Sequence, residues 1–240
     1  MIEVSNEKLI NVSIINLDIT LQVAFPDGRN KSPVSSSPFN NITLSLPRST
    51  AALRSVTLET LLHLYVSKEL VGEEGNRLVK QLTFGRLPQC LCLHVQRTSF
   101  EYGTPTKRAD QVTFEEELDM GAFLYSSQLV KGKAMLEEHF RGAGSARSAT
   151  LPSPRKPAQT AAASSARLRQ AIPYRLCAVI VHLGAINSGH YVTYRRGGVG
   201  NSDKWYLVSD SNVEEVGIMK VLCSNPYMLF YNKVSRVAEQ

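Results

Sequence analysis

The fold turns on Tyr174-Arg175-Leu176-Cys177-Ala178-Val179-Ile180-Val181-His182-Leu183-Gly184-Ala185-Ile186-Asn187-Ser188-Gly189-His190-Tyr191-Val192-Thr193-Tyr194. An apolar, β-branched run ends at His182 and Gly184, a connection rich in small residues follows, and a second β-like run starts at His190, which is a strand, loop, strand pattern. Gly189 would let a substrate backbone approach closely while the sheet holds His190. Two further β-like runs, Lys204 to Ser209 and Tyr227 to Lys233, complete an antiparallel sheet pattern.

Upstream, Asn41 to Pro47 alternates apolar and polar residues and is closed by proline, as an edge or terminal strand is. A helix capped by Thr57 follows, with Leu58, Leu61, Leu62, Tyr65 and Val66 on one face and a break at Gly72 to Asn76. Leu78 to Phe84 and Gln89 to Gln96 are two β-like runs expected to pair across Gly85-Arg86-Leu87-Pro88. Nearer the N-terminus, Val12 and Ile14, then Leu17, Ile19 and Leu21, alternate as strands do. Together these elements define an α+β domain with a mostly antiparallel sheet, interrupted by a long loop.

Across 240 residues, 43% hydrophobic content supports a sizeable core. No run approaches the roughly 20 apolar residues of a membrane span, and no signal peptide is visible. The net charge of +6 is local. Between Lys131 and Ala171 there are eight Lys/Arg and two Asp/Glu, which leaves nineteen of each sign elsewhere. That segment is rich in Ala, Ser, Pro, Arg and Gly with Phe140 as its single aromatic, the composition of a disordered, solvated insertion. It lacks the interleaved aromatics that stack bases, so no nucleic-acid partner is expected. The four cysteines, Cys90, Cys92, Cys177 and Cys223, lie in apolar runs and lack C-x-x-C spacing, which argues for core thiols in a reducing, intracellular compartment and against a disulfide framework, a metal site or a cofactor. His182 and His94, each in an apolar alternation, fit structural roles; His63 and His139 have no partner in sequence.

The chain resembles the ubiquitin-specific proteases. The resemblance rests on Tyr174, Leu176, Ala178, Val179, His182, Gly184, Ser188, Gly189, His190, Tyr191 and Tyr194, then Lys204-Trp205-Tyr206, Ser209-Asp210-Ser211-Asn212-Val213 and the closing Pro226 to Tyr231. Leu87 to Arg97 is similar to the family's central palm strand, and the wording of Gly103 to Arg108 and Tyr194-Arg195-Arg196 is similar to a member on the cytosolic face of the mitochondrial outer membrane. The likeness spans about residues 31 to 233. It implies a papain-like palm with reduced fingers and no thumb, divided into residues 1–30 of unclear origin, 31–130 with a fingers remnant and the first part of the palm, the insertion 131–171, the histidine-box part 172–234 and a tail 235–240.

In such enzymes a cysteine thiolate attacks the carbonyl of ubiquitin's last glycine, and a histidine activates the thiol and later protonates the leaving amine. The resemblance implies His190 as that base, with Gly189 and Tyr191 against the substrate, and ubiquitin and ubiquitinated proteins as partners. Where most members place Asp or Asn as the residue that orients the histidine, this chain has Ser209, with Asp210 as the alternative; strand alternation sends the two to opposite faces. The family's Asn and Cys box and its paired zinc knuckles have no counterpart here, so the chain is expected to be a fragment whose nucleophile is not among its four cysteines. A catalytically inactive ubiquitin-binding or scaffold protein is the competing expectation.

Overall fold

The computed structural model describes residues 17–24, 35–47, 56–72, 78–127, 171–198 and 200–234. Along the chain, β1 (Leu17–Ala24) pairs antiparallel with β2 (Ser35–Phe39), and β3 (Ile42–Ser45) buries Ile42 and Leu44 while exposing Thr43 and Ser45. β4 (Val56–Thr57) runs into α1 (Leu58–Tyr65), and the Thr57 hydroxyl accepts from the Thr60 N–H at 3.0 Å. That bond satisfies one of the first turn's unpaired donors. Leu58, Leu61 and Leu62 are buried, the apolar face that the spacing predicts. The helix ends earlier than expected, because the chain turns at Val66 into β5 (Lys68–Val71); Gly72, at φ +98°, follows a strand rather than a helix. Residues 73–76 of the expected break lie outside the described residues.

β6 (Leu78–Arg86) and β7 (Cys90–Gln96) exist, but the expected pairing between them does not. β6 joins a small sheet of order β2-β1-β6-β5, whereas both edges of β7 are taken in the large sheet. The physical reason lies in the link: the Tyr174 hydroxyl donates to the Pro88 carbonyl and anchors the start of β7 to the far strand. Proline has no N–H to close a tight hairpin there. The next elements had no sequence counterpart: β8 (Thr98–Glu101) and β9 (Thr104–Lys107) form a hairpin, β10 (Val112–Thr113) pairs parallel with β4, and β11 (Glu117–Asp119) leads into a 3-10 helix at Met120–Phe123. The expected basic insertion lies outside the described residues apart from Ala171.

The histidine-bearing half follows the sequence pattern closely. β12 (Pro173–Gly184), β13 (Gly189–Arg196) and β14 (Trp205–Ser209) are adjacent antiparallel strands. β15 (Asn212–Val216), which the sequence reading did not separate from β14, forms a two-residue hairpin with it. A short helix α2 (Ile218–Leu222) then precedes β16 (Met228–Lys233). The large sheet runs β15-β14-β13-β12-β16-β7-β3, with β11 also pairing β12; only its β3–β7 pair is parallel.

One face of this sheet is the core. Leu44, Leu91, Leu93, Val95, Leu176, Val179, Leu229 and Tyr231 are fully buried there, with α1 against β3. Polar groups that reach the core are satisfied: the Tyr231 hydroxyl donates to the Glu115 carbonyl at 2.7 Å, and buried Arg97 donates from Nε to the Pro226 carbonyl at 2.9 Å and from Nη1 to the Asp110 carbonyl at 2.8 Å. Glu116 accepts from Arg196 and lies 3.3 Å from Arg175 Nε. Cys223 departs from the core placement expected of it, since it caps α2 and is exposed.

Two stability measurements follow from this packing. Leu93→Ala removes a fully buried side chain between β16 and β3 and should cost about 2–5 kcal/mol in urea unfolding. The hydrogen bond from Arg196, and then the positive charges beside it, hold the Glu116 carboxyl below its ordinary 4.5. Its contribution is therefore present above that value and lost as pH falls through the lower folded value, so Glu116→Gln should flatten the acid limb of the stability curve and reduce stability at neutral pH.

Candidate active site

Register brings the candidate residues together. The pairing of Thr193 with Val208 continues to place Ser209 level with Val192, so Ser209 and His190 are diagonal neighbours on one sheet face. Their side chains meet there: His190 Nε2 lies 2.8 Å from Ser209 Oγ. With Oγ accepting the Nε2 proton, Nδ1 is left with its lone pair, which is the arrangement a base needs. Among the described residues no hydrogen bond occupies Nδ1.

Asp210 departs from strict alternation. It occupies the two-residue turn between Ser209 and Asn212 with φ +51°, a left-handed conformation that Asp tolerates better than most residues. The turn swings its carboxylate back toward the histidine, and Oδ2 reaches 3.9 Å from Nε2. At 83% exposure this carboxylate is strongly screened, so Ser209 makes the direct bond and Asp210 adds a weak field.

Gly189 has a structural reason to be glycine that the sequence did not reveal. A Cβ there would lie 1.8 Å from His182 Nε2, so the imidazole of His182 already fills that space. His182 also stacks on Tyr191, with ring centroids 4.5 Å apart, and Tyr191 lies 5.5 Å from Tyr227. Burial and then the Lys107 ammonium hold the His182 imidazole below its ordinary pKa. This aromatic group occupies the sheet face opposite His190, and Tyr191 remains 52% exposed. His94 is half-buried beside Tyr227 at 4.8 Å, and His63 pairs with Glu59 at 3.6 Å on the outer side of α1.

The thiols are elsewhere. Cys177, in a bulge of β12, donates to the Phe230 carbonyl at 3.3 Å and shares a hydrogen bond with Cys90, which pulls the Cys90 thiol below its ordinary range and pushes Cys177 up. Burial pushes Cys92 up to about 11. Cys177 sits six residues along β12 from Leu183, the partner of His190, a separation of about 20 Å at strand spacing. Among the described residues no thiol is within hydrogen-bond reach of His190. Nor does any group of three His, Cys, Asp or Glu side chains among them suit a metal.

Sequence reasoning missed Lys107, whose Nζ donates to the carbonyls of His182 at 2.9 Å and Gly184 at 2.6 Å. The signal was present as Tyr102-Gly103 between two short Thr-containing runs, a hairpin turn with both residues at positive φ.

The structure thus pairs a histidine with a hydroxyl on one sheet face and leaves the second ring nitrogen open among the described residues. The chain belongs to the ubiquitin carboxyl-terminal hydrolase family, whose model matches residues 6–231, beginning well before the resemblance read from motifs. Among curated proteins it is 32% identical to ubiquitin carboxyl-terminal hydrolase 30 of Mus musculus over 272 residues, covering 88% of this chain and 52% of that protein. The Homo sapiens protein of that name is also 32% identical, over 278 residues with the same coverage. The chain thus spans about half the length of these relatives. Among solved structures, the SAGA Ubp8/Sgf11/Sus1/Sgf73 DUB module bound to ubiquitin aldehyde aligns with a TM-score of 0.66 at 19% identity, covering 96% of this chain and 44% of that one. The Ubp8-Sgf11-Sgf73-Sus1 SAGA DUB module aligns at 0.65 and 20% identity, covering 96% and 42%. The fold is that of a papain-like, ubiquitin-specific protease catalytic domain.

The His190 pairing can be tested directly. Ser209→Ala should shift the His190 tautomer ratio, read from ring 15N shifts, by roughly fivefold, the equivalent of about 1 kcal/mol for one hydrogen bond. Asp210→Asn should change it by less than about twofold, because exposure screens that carboxylate.

Proposed function

We propose that this chain supplies the histidine half of a deubiquitinase site, in which His190 is the base, Ser209 orients it and Asp210 assists through its field. The observation that carries this reading is the 2.8 Å contact between His190 Nε2 and Ser209 Oγ, which leaves Nδ1 for the chemistry. Nδ1 takes the proton of a cysteine thiol, and the thiolate attacks the carbonyl carbon of ubiquitin's C-terminal glycine. The imidazolium then returns its proton to the leaving amine. Water, deprotonated by the same nitrogen, hydrolyses the thioester and frees the thiol. Ser209 holds one tautomer throughout.

The attacking thiol in this reading is none of Cys90, Cys92, Cys177 or Cys223. Three of them lie in the sheet toward the opposite end of β12 from His190, and Cys223 caps α2. In this reading Gly189 and Tyr191, the chain neighbours of His190, meet the ubiquitin tail at the exposed start of β13. Placement at the mitochondrial outer membrane is part of this proposal and rests on the resemblance read from Gly103 to Arg108 and Tyr194-Arg195-Arg196; no helix among the described residues is long and apolar enough to cross a membrane. A catalytically silent ubiquitin-binding role is the second reading, and the distance of the thiols from His190 favours it for the chain acting alone.

Ubiquitin with a thiol-reactive C-terminus, incubated with the chain and followed by intact mass, should give no adduct. Titrating unmodified ubiquitin should move the amide signals of Gly189, His190 and Tyr191, and removing ubiquitin's last two glycines should weaken binding about tenfold, or 1.4 kcal/mol. An adduct abolished by changing one of the four cysteines would overturn the placement of the nucleophile. Unmoved signals would overturn the ubiquitin reading itself.

A further inference from the structure

We propose that Lys107 is a positioning residue for His190, acting through the free edge of β12; its catalytic meaning rests on the reading of His190 as the base. β16 covers this edge of β12 as far as Ile180, whose carbonyl accepts from the Tyr227 N–H at 2.7 Å. Carbonyls two residues apart on a strand point to the same edge, so the next two are those of His182 and Gly184. Among the described residues no strand reaches them. The Lys107 ammonium takes both, at 2.9 and 2.6 Å, and thereby stands in for a missing strand.

Those two carbonyls flank Leu183, the residue paired with His190, and Gly184 is paired with Gly189. The strand end that they fix is followed by the largely exposed connection 185–188 and contains Gly184 at φ +83°. Without the ammonium the end of the ladder would have one edge unsupported, and fraying there would move His190 relative to Ser209. Charge-assisted bonds to two carbonyls are suited to hold it.

The strut itself is firmly based. Lys107 pairs with Thr98 across the hairpin, and the next residue, Arg108, grips Asp110 through two bonds of 2.9 Å and donates to the Pro47 carbonyl at 2.6 Å. Its backbone N–H donates to the carbonyl of buried Arg97 at 2.7 Å, and the Arg97 guanidinium is in turn bonded to the Pro226 carbonyl. The ammonium therefore projects from a part of the fold tied to β7 and to the approach to β16.

The test compares Lys107→Met and Lys107→Arg in the full chain by NMR. Lys107→Met should speed amide hydrogen exchange at the Gly184 and Gly189 end of the ladder by about tenfold, local opening having become easier by roughly 1.4 kcal/mol. It should also move the His190 ring 15N shifts toward those of Ser209→Ala, while exchange in β7 and β16 stays as in the parent. Lys107→Arg, which keeps charge and donors, should restore both signals. An unaltered His190 ring in Lys107→Met, acceleration spread evenly over the sheet, or failure of arginine to restore the signals would each overturn the proposal. None of these readouts involves ubiquitin, so a failure of ubiquitin to bind the parent chain would strike the functional reading alone.

Discussion

The register of three antiparallel strands is the constraint on which the rest depends. β12 fixes β13 so that Leu183 faces His190, and β13 fixes β14 so that Ser209 comes level with Val192. A slip of one residue in either pairing would send His190 or Ser209 through the sheet to the opposite face. The core resists such a slip because Val179, Val181, Val192 and Trp205 would leave it at the same time. The geometry of His190 and Ser209 and hydrophobic burial are thus specified by the same alternation, and neither can drift without the other.

The two faces of the sheet near the site have different chemistry. His190 and Ser209 share their face with buried Val192, whereas His182 and Tyr191 stack on the other and remain partly open to solvent. Gly189 connects the two arrangements: it directly precedes His190 in the chain, and its missing side chain gives the His182 ring its place. A substituent at Gly189 would therefore disturb the aromatic face first, and His190 through the backbone.

Much of this was legible from alternation and capping alone. The strands at 173–184, 189–196, 205–209 and 228–233, the Thr57 cap and the meeting of His190 with Ser209 all follow from local pattern, since each depends on residues close in sequence or on adjacent strands. What stayed hidden depends on distant partners. The separation of β6 from β7 is set by Tyr174, 86 residues away from Pro88. The hold of Lys107 on the end of β12 spans 75 residues to His182, and the reason for Gly189 lies in a ring on a neighbouring strand. The approach of Asp210 to His190 stayed hidden for a different reason: the alternation rule holds within a strand, and Asp210 has already left it with a positive φ.

For the proposed site, that turn also bears on how a serine can stand where the resemblance implies Asp or Asn. A base requires one tautomer and a fixed ring plane, and a hydroxyl oxygen at 2.8 Å supplies both without charge. What a hydroxyl lacks is a negative charge to stabilise the imidazolium once it has taken a proton. The hairpin places the Asp210 carboxylate nearby, at 3.9 Å and largely in water, where Coulomb attraction is weak but not absent. In the proposed site, orientation and charge, which a single Asp would combine, are divided between two adjacent residues. The ring is held by a short neutral bond that does not weaken with salt, while the exposed Asp210 carboxylate is open to screening by ions.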